Sequence, residues 1–385
     1  MKKEFVHRKM KSLPQELITE ILSLLPIKPL VRFQCVSKPW FSQINNSDFI
    51  KLHLKLNHSR ERTLIVKETE FPHDYYKVNF SNEGRFGEAV KIKKPLPSEE
   101  CTLVVGCCNG LVCIRDLNCD GEIVIWNPLI GKYKKLPSKR LIDTFYDRFS
   151  YDFLAFEYDP VNDDYKVFKF VTRVTRRAWD EEEGVYSRKE RVYSRELYSL
   201  REHSWRMVKE KWPLKESYIY SDWPAFLNGT FHWWVGRTNF KKVIVTFNLS
   251  TEKFQVPNFD FFFFMKPCVN ILVLRGWLCL IVGEEVKEVW VMKEYGVANS
   301  WTLLYTVQLD SAFYICRPLL FSHDGGEEVL TREKEIIERD LHQLFWYDIK
   351  NKTHRIVEIQ NMPSGLYMSY TCVGSLLLLD ADHDN

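Results

Sequence analysis

Nowhere in this chain of 385 residues do two cysteines stand in C-x-x-C spacing, and its 10 cysteines form no regular framework. No apolar run comes near the ~20 residues that a membrane span needs. The one apolar stretch close to the N-terminus is interrupted by Glu16 and Glu20, so no secretion signal is expected there. The thiols are therefore expected to stay reduced, as in the cytoplasm or the nucleus. The vicinal pair Cys107–Cys108 reads as buried strand residues in preference to a redox couple. A net charge of only +3 supplies no general field for nucleic acid.

The sequence also holds no P-loop, G-x-G-x-x-G, H-E-x-x-H or G-x-S-x-G pattern, which removes the usual signatures of nucleotide binding, zinc proteolysis and serine hydrolysis. No convergent Tyr, His and Cys spacing demands a metal, and no cofactor is expected. His232, beside Trp233 and Trp234, reads as a core histidine in a strand rather than a ligand or base. Asp163-Asp164 and Glu284-Glu285 read as turn residues rather than acid–base pairs. A propeller enzyme is kept only as an alternative.

Aromatic residues are abundant: 12 Trp, 18 Tyr and 26 Phe make up 15% of the chain, a bias toward strands and protein-binding surfaces. Charge is uneven. Residues 1–60 hold 11 Lys and Arg against 4 Asp and Glu, whereas the remainder hold 43 against 47. A basic head on a mildly acidic body suggests two modules, 1–60 and 61–385, with different partners.

The head reads as three or four short helices. Ser12 and Gln15 flank Leu13-Pro14 as a helix start, and Leu17, Ile18, Ile21, Leu22 and Leu25 form a helical stripe ended by Pro26. A second start is placed at Pro29, and a third helix runs from Pro39-Trp40 to Ile44. Asn45-Asn46-Ser47-Asp48 reads as a turn before Phe49, Ile50, Leu52 and Leu54. About fifty residues of this kind make a marginal core, so the unit needs a partner surface.

These residues resemble the F-box. Leu13-Pro14, Leu17, Ile21-Leu22, Leu25-Pro26, Lys28, Leu30, Arg32-Phe33, Val36, Lys38 and Trp40 match its pattern at fixed spacing, with Pro29 and Pro39 as departures. The resemblance implies docking onto a Skp-type adaptor and, through it, a cullin scaffold. The residues expected to contact the adaptor are Leu13, Pro14, Leu17, Ile18, Ile21, Leu22, Leu25, Pro26, Leu30, Val36 and Trp40.

Beyond residue 60 the pattern becomes short apolar-aromatic runs broken by Gly, Asn, Asp and Pro, as in an all-β domain. One unit recurs: a Gly turn with an apolar strand, an aromatic strand, a turn and a further strand. Asn109-Gly110-Leu111-Val112 followed by Ile125-Trp126-Asn127-Pro128 is one copy, and Asn228-Gly229-Thr230-Phe231 followed by Val245-Thr246-Phe247-Asn248 is another. The anchors Trp126, Tyr198, Phe247, Trp290 and Tyr347 recur at propeller-like intervals, which predicts about six irregular, kelch-like blades. A β-sandwich or two smaller β-domains is the competing architecture. Arg173–Arg195 reads as an inserted loop, and Arg62–Lys67, Tyr75–Phe80 and Leu376–Leu379 are expected to combine in a closing blade.

This body resembles the F-box-associated domain of large plant families. The resemblance rests on the two copies above, on Phe156-Glu157-Tyr158-Asp159-Pro160 before Asp163-Asp164-Tyr165-Lys166-Val167, and on Glu196-Leu197-Tyr198-Ser199-Leu200 with Ser204-Trp205. It implies a non-catalytic subunit of a Skp–cullin–F-box ubiquitin ligase that holds a protein client for ubiquitination. In style the chain is similar to pollen S-locus F-box proteins of self-incompatibility, for which the client would be a basic secreted ribonuclease. An interaction scaffold without ubiquitin function is the alternative. Client contact is placed on Asp180, Glu181, Glu182 and Glu183, and on Phe261, Phe262, Phe263 and Phe264.

Overall fold

The computed structural model describes residues 13–57, 62–68, 71–80, 85–96, 101–117, 121–137, 151–175, 179–180, 185–186, 190–214, 217–219, 224–237, 242–258, 268–283, 286–308, 313–322, 328–335, 342–362, 367–377 and 379. Four helices are followed by a β-propeller of six blades.

The helices start where the sequence supplies a start. Pro14 stands at the N-terminus of α1 (Gln15–Ser23) and Pro26 at that of α2 (Ile27–Phe33), each in extended conformation. Ser12, the expected cap, lies outside the described residues. Pro29, expected to open α2, sits inside its first turn instead, where its missing N–H costs no bond. Ser37 caps α3 (Lys38–Ile44) by accepting from the Trp40 N–H at 3.4 Å. Asn46 accepts from the Asp48 and Phe49 N–H groups at 2.9 and 3.2 Å, so α4 (Ser47–Asn57) begins inside the expected turn.

Each blade is an antiparallel sheet. Blade 2 holds Thr102–Cys108, Leu111–Asp116, Ile123–Asn127 and Lys132–Lys135 in that order. Blade 3 holds Tyr151–Asp159, Asp164–Thr175, Glu190–Ser199 and Ser204–Met207. Blade 4 is built on Thr230–Arg237, Lys242–Asn248 and Lys253–Gln255, with Ser217–Ile219 and Ala225–Leu227 both on the inner side of Thr230–Arg237. Blade 5 holds Cys268–Leu274, Trp277–Val282, Val286–Met292 and Trp301–Gln308. Blade 6 holds Phe313–Phe321, Glu328–Glu335, His342–Asp348 and Thr353–Ile356. The anchors Trp126, Tyr198, Phe247, Trp290 and Tyr347 all lie on the third major strand of their blades, which is why they recur.

Blade 1 is the closure. Arg62–Glu68, Tyr75–Phe80 and Val90–Ile92 receive their innermost strand, Tyr367–Val373, from more than 270 residues away. This corrects the expected closing strand. Leu376, Leu377 and Leu379 are not in the sheet: Leu376 enters the helical core, and Leu379 packs between blades 2 and 3.

Six apolar cores, one between each pair of neighbouring blades, hold the ring. Both faces of a blade are therefore buried. Leu64 and Val66 face blade 6 while Ile65 faces blade 2, and Leu111 and Cys113 face blade 3 while Val112 and Ile114 face blade 1. Two-faced burial explains continuous apolar runs in place of strict alternation. The core between blades 3 and 4 is the most aromatic, with Phe168 stacked on Phe247 at 4.6 Å and Phe153 on Phe170 at 5.0 Å.

The presumed loop Arg173–Arg195 is largely a β-hairpin arm. Pairing of the second and third strands of blade 3 continues through Thr175↔Glu190, and Trp179–Asp180 pairs with Val185–Tyr186 beyond it. Charged residues gave the segment a loop-like composition, but Val171, Thr172, Val174, Val192 and Tyr193 supply the β-forming pattern.

Asn109-Gly110 forms a tight hairpin turn with both φ angles positive, 49° and 81°. A Cβ on Gly110 would stand 2.2 Å from the Ser375 Cβ, whereas one on Gly229, at φ 73°, would meet nothing within 4 Å. Gly110→Ala is therefore expected to cost about 3 kcal/mol, from left-handed strain plus overpacking. Gly229→Ala should cost about 1 kcal/mol, from backbone strain alone. Urea unfolding of the two variants measures the difference.

Candidate functional site

The helical module sorts its apolar residues into two sets. Leu22, Ile27, Leu30, Ile44, Phe49 and Ile50 are buried in one core, which Leu129 and Ile130 of blade 2 and Leu376 complete. Leu17 and Ile21 on α1, with Leu13 and Leu24 just beyond its two ends, are 45–57% exposed, and Val36 and Phe41 are exposed as well. Gln43 of α3 donates to Thr19 Oγ1 at 3.2 Å, which sets α3 beside α1 and its stripe.

Of the residues expected to contact an adaptor, Leu13, Pro14, Leu17, Ile21, Pro26 and Val36 are exposed, and Ile18, Leu25 and Trp40 are half-buried. Trp40 meets Phe33 edge to face at 5.2 Å, so it braces α2 against α3 while keeping one edge outward. Leu22 and Leu30 are corrected to core residues. Leu24 and Phe41 are exposed as well and were not among the expected residues. Phe41 is one residue from Trp40 and carried no period of its own, and Leu24 follows the last residue of α1.

Apolar packing joins the module to the propeller, and polar contacts order each side of the junction. Asn127, fully buried, donates to Ser375 O at 3.0 Å and Leu377 O at 3.1 Å, while its own Oδ1 accepts from Leu129 N. His53 Nε2 bonds Leu25 O at 2.8 Å, and Asn57 donates to Ser23 O at 2.8 Å. Lys51 of α4 pairs with Asp163 of blade 3 at 2.5 Å, but both side chains are about half exposed and the pair is worth little.

At the propeller axis a channel of about 180 Å³ is lined by the innermost strands, with Cys107, Glu157, Arg317, Ser369 and Tyr370 among its walls. Burial pushes the Glu157 carboxyl up to about 7. A bond with Cys372, with burial second, raises the Cys107 thiol, and burial raises Cys108, so both are poor nucleophiles. His232 is fully buried, contacts Ala225 O and Tyr295 Oη, and is pushed down to about 4 by burial.

The Asp159–Lys166 motif is an inter-blade latch. Asp159 accepts from Lys166 Nζ at 2.7 Å, Asn162 Nδ2 at 2.6 Å and Ser250 Oγ of blade 4 at 2.5 Å, and Lys166 also donates to Leu249 O at 3.3 Å. Burial alone would raise the Asp159 carboxyl, but bonds from Asn162, Lys166 and Ser250 outweigh it and hold the group well below the carboxylate range. Asp164, expected in a turn, is the first residue of its strand and accepts from Ser199 Oγ at 2.6 Å and from the Arg201 N–H. Glu284-Glu285 lies outside the described residues.

Of the residues expected to meet a client, Asp180 is placed on the outer pair of the blade 3 arm, with only its backbone described. Glu181, Glu182, Glu183 and Phe261–Phe264 lie outside the described residues. Among the described residues, no group of three or more His, Cys, Asp and Glu side chains could hold a metal ion, and no helix is long and apolar enough to cross a membrane.

Comparison with known proteins separates the same two modules. The family profile described as "F-box domain" matches residues 10–52, and that described as "F-box associated beta propeller domain" matches residues 72–377. The chain is 27% identical to F-box protein CPR1 of Arabidopsis thaliana over 96% of its own length and 89% of the relative's. It is also 27% identical to the Arabidopsis thaliana F-box/kelch-repeat protein At3g23880, over 82% of this chain and 84% of that one. Among solved structures, TolB from Acinetobacter baumannii covers 85% of this chain and 70% of its own at 11% identity and a TM-score of 0.47, a likeness too loose to bear on function.

Proposed function

Since this chain belongs to the plant F-box proteins that carry an F-box-associated β-propeller, whose role is substrate recognition in Skp–cullin–F-box ubiquitin ligases, we propose that the exposed stripe of its α1 and the Val36–Phe41 edge form the adaptor-binding face, and that the propeller carries the client. Proteins of this kind serve as adaptor subunits rather than enzymes.

The observation that carries the proposal is the sorting of apolar residues. A core already filled by Leu22, Leu30, Ile44 and Phe49 leaves Leu13, Leu17, Ile21, Leu24, Val36 and Phe41 exposed among the described residues. Exposed leucines at helical spacing fit an apolar groove on a partner. Ile21→Asp with Phe41→Asp is expected to lower the affinity for a Skp-type adaptor at least about a hundredfold, since truncating each anchor alone removes about 2 kcal/mol. Surface plasmon resonance reads the change, and an unchanged unfolding midpoint separates it from misfolding. Adaptor binding within threefold of wild type sinks the assignment.

For the client, the blade 3 arm is the proposed contact. It extends the second and third strands of its blade and holds Asp180 in its outer pair, and in the sequence Asp180 is followed directly by Glu181–Glu183. Acidic side chains on such an arm steer a basic partner, and a basic secreted ribonuclease is the narrower client this reading admits. Reversal of Asp180–Glu183 to Lys should slow association with that client at low salt, and an unchanged association rate removes the arm from recognition.

A further inference from the structure

Between α2 and blade 1 lies a cleft of about 830 Å³, well within the size range of small-molecule sites. Its floor is apolar, formed by Ile27, Val31, Phe86 and Leu129. Its rim is cationic. Lys28 and Arg32 reach it from α2, and Arg62 and Lys77 from the two adjacent strands of blade 1. No Asp or Glu is among the described residues that line it, and none of these four cations makes a hydrogen bond or ion pair with a described residue.

That arrangement is unfavourable as it stands. Cations converging on a partly enclosed apolar cleft with no acidic partner among the described residues repel one another, and water screens them less than it would on an open surface. Lys77 registers this: burial, and then the charge of Lys28 across the cleft, hold its ammonium below the usual lysine range. The two groups come from different modules, so the repulsion acts between the helices and the propeller. Elsewhere the junction is joined by the packing of Leu129, Ile130 and Leu376 into the helical core and by the Lys51–Asp163 pair. A cationic cleft at this junction calls for an anion.

We propose that this cleft binds a small organic polyanion with clustered phosphate groups, held by Lys28 and Arg32 on one side and by Arg62 and Lys77 on the other. More than one phosphate is needed to engage cations from both walls, and the apolar floor accepts the carbon body that bears them. Guanidinium groups grip phosphate oxygens in pairs, and the lysines add point charge. The bound anion turns repulsion between the modules into a bridge, so it acts as a structural ligand that fixes the F-box against blade 1. A soluble phosphate ester and a phosphorylated lipid headgroup share this chemistry.

Isothermal titration of the full chain with sodium tripolyphosphate tests the site. One saturable event per chain is expected, with orthophosphate at least about tenfold weaker because it reaches only one wall. Arg62→Gln and Arg32→Gln, on opposite walls, should each weaken tripolyphosphate about tenfold, as the loss of one charge-assisted contact does. Lys350→Gln with Lys352→Gln, on an exposed turn of blade 6, should leave it unchanged. Tripolyphosphate should also raise the unfolding temperature of the wild type but not of the Arg62→Gln, Arg32→Gln double variant. Sedimentation with vesicles containing a bisphosphorylated inositol lipid, abolished by the same two changes, assigns the phosphates to a headgroup. Binding of tripolyphosphate without sedimentation assigns a soluble ester. Absence of saturable binding at millimolar tripolyphosphate, or equal weakening by the blade 6 control, overturns the proposal.

Discussion

A chain ended at residue 366 is expected to yield no folded propeller, whereas one ended at Gly374 is expected to keep it. The difference is the strand Tyr367–Val373, which pairs with Arg62–Glu68 over seven residues and supplies the innermost strand of blade 1. Without it, Leu64, Ile65 and Val66, all fully buried, stand at an open sheet edge, and the cores toward blades 2 and 6 lose a wall. An exposed apolar edge strand is a template for aggregation. The longer truncation should therefore be recovered as aggregate or without a cooperative melting transition. The chain ended at Gly374 loses Leu376 and the carbonyl partners of Asn127, so its helical module should melt early while the strand-rich circular dichroism persists. Equal, native-like melting of both chains would mean that ring closure does not depend on the 367–373 strand.

The second large effect is at the latch between blades 3 and 4. Asp159→Ala leaves the Lys166 ammonium buried with Leu249 O as its remaining partner and is expected to cost about 3–5 kcal/mol, the penalty of an uncompensated buried charge. Asp159→Ala combined with Lys166→Met removes both charges and should recover most of that loss. The pH dependence has a defined sign. Because the folded carboxyl titrates below its unfolded value, its contribution is fully present above about pH 4 and is lost as pH falls through the lower, folded value. Wild type should thus lose stability below pH 4 more steeply than the double variant. Guanidinium unfolding at pH 7 and pH 3 provides the comparison, and parallel losses in the two proteins would deny the latch a charged role.

The legible parts of the sequence were those in which one physical requirement repeats. Third-strand aromatics such as Trp126 and Phe247 recur because each fills the same space between blades, so spacing alone exposed the ring. Leu13-Pro14 and Leu25-Pro26 declared the helices because proline can stand only at their starts. The closing strand escaped for the opposite reason. Tyr367–Val373 lies nearest the axis, where space is narrow and one edge faces the channel, so it carries Ser369, Thr371 and Cys372 and looks less strand-like than the leucines of 376–379. Those leucines are more apolar because they join two modules rather than two strands. Leu22 falls on the same period as the exposed stripe of α1, Leu30 lies in the same motif on α2, and only the packed structure separates residues that hold the module from residues that it offers. The cationic cleft draws Lys28, Arg32, Arg62 and Lys77 from separate elements, and no local pattern could have joined them.

The insertion of Leu376 into the helical core has a consequence for synthesis. The helices leave the ribosome first, yet one of their buried residues is made only after all six blades. A nascent or prematurely terminated chain thus carries a helical module short of Leu376 and of the Asn127 clamp on the 375–377 backbone. A chain ended anywhere in the ring therefore leaves the helical core one residue short.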